Sequence, residues 1–408
     1  MTIYKLGEIA TVEISGVDKK IKDGEIPVKL CNFVDVYYNW AITSDLEQKF
    51  MEATARTNEI ERFKLKRGQV ALTKDSETRF DIGIATYIAD DFDNVILGYH
   101  NALITPNPKK LSGKYLNALL HTDYARTYFA NNASGSGQRY ALSIDALNNF
   151  PVPLLPLAEQ ERIGDIFSSI DQKIALNRAI NDNLEAMAKQ LYDYWFVQFD
   201  FPNEEGKPYK SSGGKMVWND KLKREIPEGW EVKTIGTFAD VKRGSTITKA
   251  QTVEGDIKVV AAATDYSFLH NEANRSAYVI TVSASGANAG FINFWREPIY
   301  ASDCSTIQCE KIEETLYCYY WILHFQELLF TQQIGAAQPH VYPEHINKIP
   351  IVVPSPDILA KVKNLLVKSN QKQSEISREI ESLTKQRDEL LPLLMNGQVS
   401  VNYHLSDD

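Results

Sequence analysis

Two loops in this chain combine small residues with side chains that can hydrogen-bond to the edges of nucleic-acid bases. The first loop, residues 134–140, holds Gln138 and Arg139 among serines and glycines, and the second, residues 335–340, holds Gln338. Glutamine and arginine can form paired hydrogen bonds to adenine and guanine, respectively, in the major groove of DNA. The loops therefore indicate base recognition, although a loop of this composition can also be a plain turn.

Three further polar loops place cations or hydroxyl groups where a phosphate backbone could bind. They cover residues 74–79, 242–246 and 283–288, and lysine, arginine, serine and threonine commonly contact DNA phosphates. A pair of basic residues can equally belong to a solvated surface. Together the five loops supply these candidate DNA-binding residues: Lys74, Ser76, Thr78, Arg79, Ser136, Gln138, Arg139, Tyr140, Lys242, Arg243, Ser245, Ser285, Asn288, Gln338 and His340.

These loops belong to a chain that repeats. Residues 142–195 return at 341–394, so that Pro151 matches Pro350 and Lys173 matches Lys372. A looser likeness joins residues 6–10 to 235–239. A repeat of this length predicts two copies of one structural unit rather than one continuous domain.

Each close repeat ends in a segment with coiled-coil spacing, because apolar residues recur at alternating steps of four and three. At ~1.5 Å per residue, 35 to 40 residues predict a rod of roughly 55 Å. Polar residues interrupt both seams, among them Asn177, Asn181 and Gln373. They either fix the register of the helix pair or face solvent where the seam drifts. Pro392 is expected to kink or stop the second helix.

The regions before these helices indicate mixed domains. Short apolar runs at residues 70–73, 95–97, 258–262 and 277–282 predict strands. Residues 116–129 and 316–330 each carry the apolar spacing of a helix. The predicted fold class is α+β, with two mixed α/β domains separated by two long helices that form an antiparallel coiled coil, with internal pseudo-two-fold symmetry. The predicted boundaries are 1–150 and 230–349 for the domains, 151–199 and 350–400 for the helical spacers, and 200–229 for a linker.

Composition limits the class of protein. Of the 408 residues, 44% are hydrophobic and 24% are charged, which argues against disorder,. No apolar run approaches the ~20 residues that cross a bilayer, and the first residues do not resemble a signal peptide, so we expect a cytoplasmic protein without a membrane partner. The four cysteines lack C-x-x-C spacing, which favours free thiols and no metal site. The net charge of −9 argues only against indiscriminate DNA binding,.

The whole layout resembles the specificity subunit of type I restriction-modification systems. The likeness is carried by residues 151–163, the aromatic segment 192–196, the stretch 199–202 and the stretch 226–230. The resemblance implies two target-recognition domains that each read one half of a split double-stranded DNA site. It also implies that the helical spacers set the half-site separation and dock two methyltransferase (modification) subunits, to which restriction motor-nuclease subunits are added.

The resemblance further implies that this chain is a non-catalytic subunit with no cofactor of its own. S-adenosylmethionine, ATP and magnesium would be bound by the partner subunits. The residues agree, because no G-x-x-x-x-G-K-[ST] phosphate loop occurs,. The stretches 149–151 and 200–202 each have only one proline where adenine methyltransferases have two. The alternative is a single-chain DNA nuclease or methyltransferase that uses the repeat to grip two half-sites.

Aromatic residues cluster where the first helix leads into the linker, and two roles are open for them. They can form a docking face for a methyltransferase subunit, or a plug between the helix and the domain. We predict docking for Tyr194, Phe196, Phe199 and Phe201, and the plug for Tyr192 and Trp195.

Overall fold

The computed structural model describes residues 2–135, 139–331 and 340–395. These residues form two compact units. Unit 1 contains the described residues up to Asn177 and those from Glu379 onward, and unit 2 spans Arg178–Arg378. Each unit therefore includes part of both long helices. Among the helices that the structure describes, none combines the length and apolar character that a membrane-spanning segment requires.

Unit 1 is a mixed α/β structure. Its strands are β1 (Thr2–Lys5), β2 (Ala10–Ile14), β3 (Ile26–Cys31), β4 (Ala41–Ile42), β5 (Met51–Ala55), β6 (Val70–Thr73), β7 (Asp75–Ser76), β8 (Ala85–Ile88), β9 (Val95–Leu97), β10 (Asn101–Pro106), β11 (Ser134–Gly135), β12 (Tyr140–Ala141) and β13 (Pro151–Leu154). Its helices are α1 (Leu6–Ile9), α2 (Phe33–Tyr38), α3 (Thr57–Phe63), α4 (Gly113–Leu120), α5 (Asp123–Asn132), α6 (Ile144–Asn148) and the first part of α7 (Leu157–Tyr192).

A five-stranded sheet of order β2-β10-β6-β8-β4 organises unit 1. Alternate residues of β6 enter different cores, because side chains along a strand point to opposite faces. Val70 and Leu72 pack with residues of α4 and α5, whereas Ala71 packs with the smaller sheet β5-β3-β9. The strands predicted at 70–73 and 95–97 are confirmed at those positions.

Unit 2 is also mixed. Its strands are β14 (Met216–Asn219), β15 (Arg224–Pro227), β16 (Glu231–Thr234), β17 (Asp240–Arg243), β18 (Ile257–Val260), β19 (Phe268–His270), β20 (Val279–Ser283), β21 (Ile292–Trp295), β22 (Ile299–Ala301), β23 (Cys304–Gln308) and β24 (Pro350–Val353). Its helices are the end of α7, α8 (Ile235–Phe238), α9 (Ile312–Leu323), α10 (Gln326–Thr331), α11 (Pro343–Asn347), α12 (Pro356–Val362) and the start of α13 (Lys368–Met395).

The larger sheet of unit 2 has the order β17-β23-β20-β21. This order corresponds to β2-β10-β6-β8 in unit 1, with the same antiparallel pairings. The strands predicted at 258–262 and 277–282 occur as β18 and β20, with boundaries that differ by one to two residues.

Each domain helix predicted as continuous is two helices. In unit 1 the break falls at residues 121–122, where the Thr122 hydroxyl accepts a hydrogen bond from the Ala125 N–H and caps α5. Such a cap favours a new helix start over continuation. In unit 2 the break lies between Leu323 and Gln326. The spacing of apolar residues therefore identified the helical regions but not their interruption.

Both long helices contain one widened turn with π-helical hydrogen bonding. In the first, Asp193–Val197 continues α7, and in the second, Lys363–Val367 joins α12 to α13. Helix α13 runs through Pro392 to Met395, so the proline does not stop it. Within the described residues the helix continues for three residues beyond Pro392, and the missing N–H removes a single backbone hydrogen bond.

Polar residues of the two long helices hydrogen-bond to each other within each unit. In unit 1, Asn177 Nδ2 donates to Glu379 Oε2 at 3.0 Å. In unit 2, Asn181 Nδ2 donates to Ser377 Oγ at 3.2 Å, and Gln373 Nε2 donates to the Asn181 carbonyl oxygen at 3.3 Å. Asn177 and Gln373 are each only 3% exposed. The alternative that these two residues face solvent is therefore wrong.

A cation–π contact pairs one charged residue of α13 with an aromatic ring of unit 1. In unit 1 the guanidinium carbon of Arg387 lies 5.1 Å from the centroid of the Trp40 ring, within the range of an attractive contact. The His121 ring stacks on Trp40 with centroids 4.2 Å apart. His121 Nδ1–H donates to the Asn117 carbonyl oxygen at 2.8 Å, so Nδ1 carries a proton.

Acidification from pH 7 to pH 5 is expected to destabilise unit 1 by about 2 kcal/mol through His121. Loss of hydration lowers the pKa of His121 from 6.5 to about 4, against the hydrogen bond to the Asn117 carbonyl, and Arg387 and Arg126 lower it further while Asp388 raises it. The folded pKa lies below the unfolded one, so the unfolded chain binds more protons. This stability is present above pH 6.5 and is lost as the pH falls toward 4. Urea unfolding at both pH values measures it.

The control for His121 is the His121→Asn variant. Asparagine can still donate to the Asn117 carbonyl oxygen but does not titrate in this range. The variant should therefore lose less stability than the wild-type chain between pH 7 and pH 5. An equal loss in both proteins would show that another group causes the pH dependence.

Candidate nucleic-acid interface

In unit 1, polar side chains meet where strand β6 ends and strand β10 begins. The two strands are antiparallel, with Thr73 opposite Asn101, so the residues after β6 lie beside the residue before β10. Lys74 Nζ donates to both oxygens of Asp75, at 2.9 and 2.8 Å. His100 Nδ1 lies 2.6 Å from Asp75 Oδ2, and donates to it because an ionised carboxylate can only accept.

The small sheet β11-β12-β7 brings further predicted residues to the same place. Tyr140 pairs with Ser76 across β12 and β7, and the Arg79 guanidinium carbon lies 5.3 Å from the centroid of the Tyr140 ring. Arg139 Nη2 lies 3.1 Å and 3.2 Å from the two ring nitrogens of His100. We call this group cluster 1: Lys74, Asp75, Ser76, Arg79, His100, Arg139 and Tyr140.

Cluster 1 combines cations with one ionised acid. Burial raises the pKa of Asp75, but the hydrogen bonds from Lys74 and His100 more than compensate and leave that pKa below its usual value. His100 has a backbone φ of 70°, which is uncommon for a residue other than glycine. Arg139 and Arg79 are exposed. Cluster 1 therefore presents guanidinium donors and an aromatic ring at the surface. The hydrogen bonds of the ionised Asp75 to Lys74 and His100 lie beneath them.

Unit 2 has a corresponding group at the end of β20. Arg243 Nη2 lies 2.9 Å from Asp303 Oδ1, and the Ser285 hydroxyl donates to the other oxygen of Asp303. The Arg243 guanidinium carbon lies 5.9 Å from the centroid of the Tyr342 ring, and the His340 ring stacks on Tyr342 with centroids 5.8 Å apart. We call these five residues cluster 2.

The two clusters occupy the same place in their sheets but differ in chemistry. Ser283 lies opposite Cys304 in unit 2 as Thr73 lies opposite Asn101 in unit 1. Asp303 therefore corresponds to His100, each directly before its strand. Unit 1 has the carboxylate of Asp75 and the imidazole of His100. At the same two positions unit 2 has the hydroxyl of Ser285 and the carboxylate of Asp303. The two surfaces therefore present different donors and acceptors.

Not all predicted residues join the clusters. Lys242 forms an ion pair with Asp240 and alternates with Arg243 along β17, so the two side chains point to opposite faces. Among the described residues, Ser245 and Asn288 make no side-chain hydrogen bond to cluster 2. The Thr78 N–H donates to Ser76 Oγ at 3.2 Å, at the edge of cluster 1. The predicted residues Ser136, Gln138 and Gln338 lie outside the described residues.

Sequence reasoning missed His100 and Asp303, which join the predicted residues only through strand register. It also missed Asp75 and Tyr342, which lie within two residues of the predicted Lys74 and His340. It also missed Phe80, which follows Arg79 and is 84% exposed. The signal in the sequence that could have found it is a phenylalanine directly after a charged loop. His100 and Asp303 had no local sequence signal, whereas Asp75 lies inside the polar loop 74–79.

Three of the four predicted docking residues are buried, which corrects that prediction. Phe196, Phe199 and Phe201 are at most 4% exposed and lie in the core of unit 2. Their ring centroids are 6.0, 5.7 and 5.0 Å from that of Trp230, respectively. Trp230 follows the linker, and the three phenylalanine rings are buried because they pack against its ring. Tyr194 is 38% exposed, so docking stays a prediction for this residue.

Arg224 covers the same aromatic core. Its Nη2 donates to the Val197 carbonyl oxygen at 2.7 Å, and its guanidinium carbon lies 4.6 Å from the Phe199 ring centroid. Tyr192 and Trp195, the predicted plug residues, are buried in this core. The segment after α7 therefore anchors the linker inside unit 2.

A groove beside Tyr194 remains open in unit 2. It has a volume of about 920 Å³ and is lined by residues of α7 and of the widened turn before α13, including Met187, Leu191 and Leu365. Met187 is 66% exposed and Leu365 is 43% exposed. Exposed apolar side chains that share one groove are typical of a binding surface.

The sequence model of a known family, described as the type I restriction modification DNA specificity domain, matches residues 1–186 and 227–391. The chain belongs to this family. The type I restriction enzyme MjaIX specificity subunit of Methanocaldococcus jannaschii is 26% identical, over 98% of this chain and 93% of that protein. The HindI specificity subunit of Haemophilus influenzae is 23% identical, over 79% of this chain and 85% of its own.

A solved structure supports the fold of this specificity subunit. The type I restriction-modification S subunit from M. genitalium aligns over 96% of this chain and 95% of its own, with a TM-score of 0.60 and 16% identity. Each of the two stretches that match the family contains one of the clusters. The buried aromatic segment, which includes Phe196 and Phe199, lies between the two matched stretches.

Proposed function

We propose that each unit of this DNA-specificity subunit reads one half of a split DNA site through its cluster. The observation that supports this most directly is the matching position of the clusters in two sheets of the same strand order. Each cluster has an arginine, the side chain most often used to read guanine, beside an aromatic ring. Because their acids and hydroxyls differ, the two half-sites should differ in sequence.

The long helices are proposed to set the distance between the half-sites as an antiparallel coiled coil. In unit 2, Asn181 bonds to Ser377, and one turn further along α7, Glu185 accepts from Gln373 at 3.2 Å. As the residue number increases along α7, the number of its partner on α13 decreases, as an antiparallel pair requires. Buried polar pairs of this kind select one register. Asn177, Asn181 and Gln373 are therefore proposed as register residues.

The groove beside Tyr194 is proposed to dock a methyltransferase (modification) subunit. Ile180, Met187 and Tyr194 are exposed at intervals of seven residues along α7. This spacing gives the helix a second apolar stripe, which suits an amphipathic helix of a partner. Catalysis, S-adenosylmethionine, ATP and magnesium are assigned to the partner subunits, including the motor-nuclease, and none to this chain.

Single-molecule methylome sequencing tests this proposal. DNA would be compared from cells that express this chain with its neighbouring methyltransferase subunit, from cells that express the methyltransferase alone and from cells that express this chain alone. We expect a split motif with a methylated adenine in each half, found only when this chain is present. A soluble, co-purifying complex that methylates no split motif would contradict the proposal. Methylation by the chain alone would favour the single-chain enzyme instead.

A further inference from the structure

Within unit 2, one arginine of the predicted recognition domain, residues 230–349, contacts both long helices. Arg296 directly follows β21, and its Nε donates to Asn370 Oδ1 at 2.8 Å. Its Nη2 donates to Gln373 Oε1 and lies 3.4 Å from Glu185 Oε2. Asn370 and Gln373 belong to α13 and Glu185 to α7. A single guanidinium group therefore connects the domain to both helices.

The contacts of Arg296 extend into a closed network. Glu185 Oε2 also accepts from Gln373 Nε2 at 3.2 Å and from the Tyr320 hydroxyl of α9 at 3.3 Å. Asn370 is 1% exposed and Gln373 is 3% exposed. Buried polar groups that lose a partner are costly, because water cannot replace the missing hydrogen bond. Sliding or turning the domain on the helices would break several of these bonds at once.

The geometry of the arginine side chain makes this connection directional. The guanidinium group is planar, with donors in a fixed fork, whereas a lysine ammonium is a compact charge on a flexible stem. Asn370 and Gln373 are three residues apart and so share one face of α13. The fork can meet both acceptors and Glu185 in only one orientation. Apolar packing alone would hold the domain less specifically.

We propose that Arg296 is a positioning residue that fixes the recognition domain of unit 2 on the long helices, and so restricts the half-site separation that the subunit accepts. The inference rests on the proposed function, because it assumes that two half-sites are read together. It adds that the separation depends on the attachment of a domain to the helices as well as on helix length. Arg296 itself is not assigned a contact with DNA.

The test uses the chain assembled with its methyltransferase subunits and DNA that carries the wild-type half-sites. Methylation would be measured at the wild-type spacing and at spacings one base pair shorter and longer. For Arg296→Met, which keeps apolar bulk but no donors, we expect the preference for the wild-type spacing to fall about tenfold. Base requirements within each half-site should not change. For Arg296→Lys, which keeps the charge, the spacing preference should lie between that of the wild-type chain and that of Arg296→Met.

Glu297→Gln is the matched control, because Glu297 is the next residue and its ion pair with Lys258, at 2.8 Å, stays on the domain. It should keep the wild-type spacing preference. Hydrogen exchange of the full-length chain gives a readout independent of DNA, and amides near Asn370 should exchange faster in Arg296→Met. If the wild-type chain reads no split site but hydrogen exchange near Asn370 is faster in Arg296→Met, the proposed function fails. The attachment of the domain to the helices through Arg296 then still stands. Unchanged preference and unchanged exchange in either Arg296 variant would overturn the inference.

Discussion

Arg139→Ala is expected to weaken recognition of one half-site by about 10- to 100-fold and leave base requirements at the other half unchanged. Arg139 is exposed in cluster 1, with its guanidinium group beside His100. Alanine removes the donors that can pair with guanine but leaves the Asp75 network intact. The effect should be confined to one half because cluster 1 lies entirely within unit 1.

Arg243→Ala should produce the complementary result. Arg243 provides the guanidinium group of cluster 2, where it pairs with Asp303 at 2.9 Å. Its loss should relax the base requirement at the half-site that Arg139→Ala leaves unchanged. Methylation of a DNA library randomised at both half-sites, read by sequencing, measures both variants in one experiment.

Lys242→Ala is the matched control for Arg243→Ala. It removes a positive charge from the neighbouring residue of β17, but its side chain pairs with Asp240 on the other face of the strand. Any loss should therefore be small and similar for all sequences, as for a residue that at most contacts phosphate. Equal losses at both half-sites in Arg139→Ala, or in Arg243→Ala, would contradict the assignment of one half-site to each unit.

Sequence periodicity predicted the parts of the fold that depend on local burial. The run 70–73 is a strand whose four residues are all buried, and a continuous apolar run of this length is typical of a covered strand,. Ile163, Phe167 and Ile174 follow the predicted coiled-coil spacing in α7, at steps of four and seven residues, and they are buried because a spacing of 3.5 residues keeps them on one face,. Local spacing was sufficient there because the partner surface needed only to be apolar.

Residues whose role depends on distant partners were harder to predict. His100 and Asp303 enter the clusters because strand pairing brings them to the ends of β6 and β20, which no local pattern shows. Phe199 and Phe201 were assigned to a partner surface, although Trp230 buries them. Aromatic residues near a linker suit a docking face or a core equally well, and only the position of Trp230 distinguishes the two.

Removal of one heptad from both long helices is expected to shorten the preferred half-site separation by about three base pairs, because seven residues rise about 10 Å and one base pair about 3.4 Å. Suitable segments are residues 170–176 of α7 and 380–386 of α13. Their removal retains the bonds from Asn177 to Glu379 and from Asn181 to Ser377. Methylation of DNA with a graded series of spacers measures the change.

The control removes residues 170–176 alone. That chain keeps the same register bonds but leaves seven residues of α13 without their facing segment, so unit 1 should be destabilised in urea. The double deletion should remain stable, because seven residues are two turns of a coiled coil and the seam positions return to the same face. Base requirements at both half-sites should persist, since neither cluster is altered. If the doubly shortened chain folds and still prefers the original spacing, the helices do not set the separation, and the attachment of the domains must determine it instead.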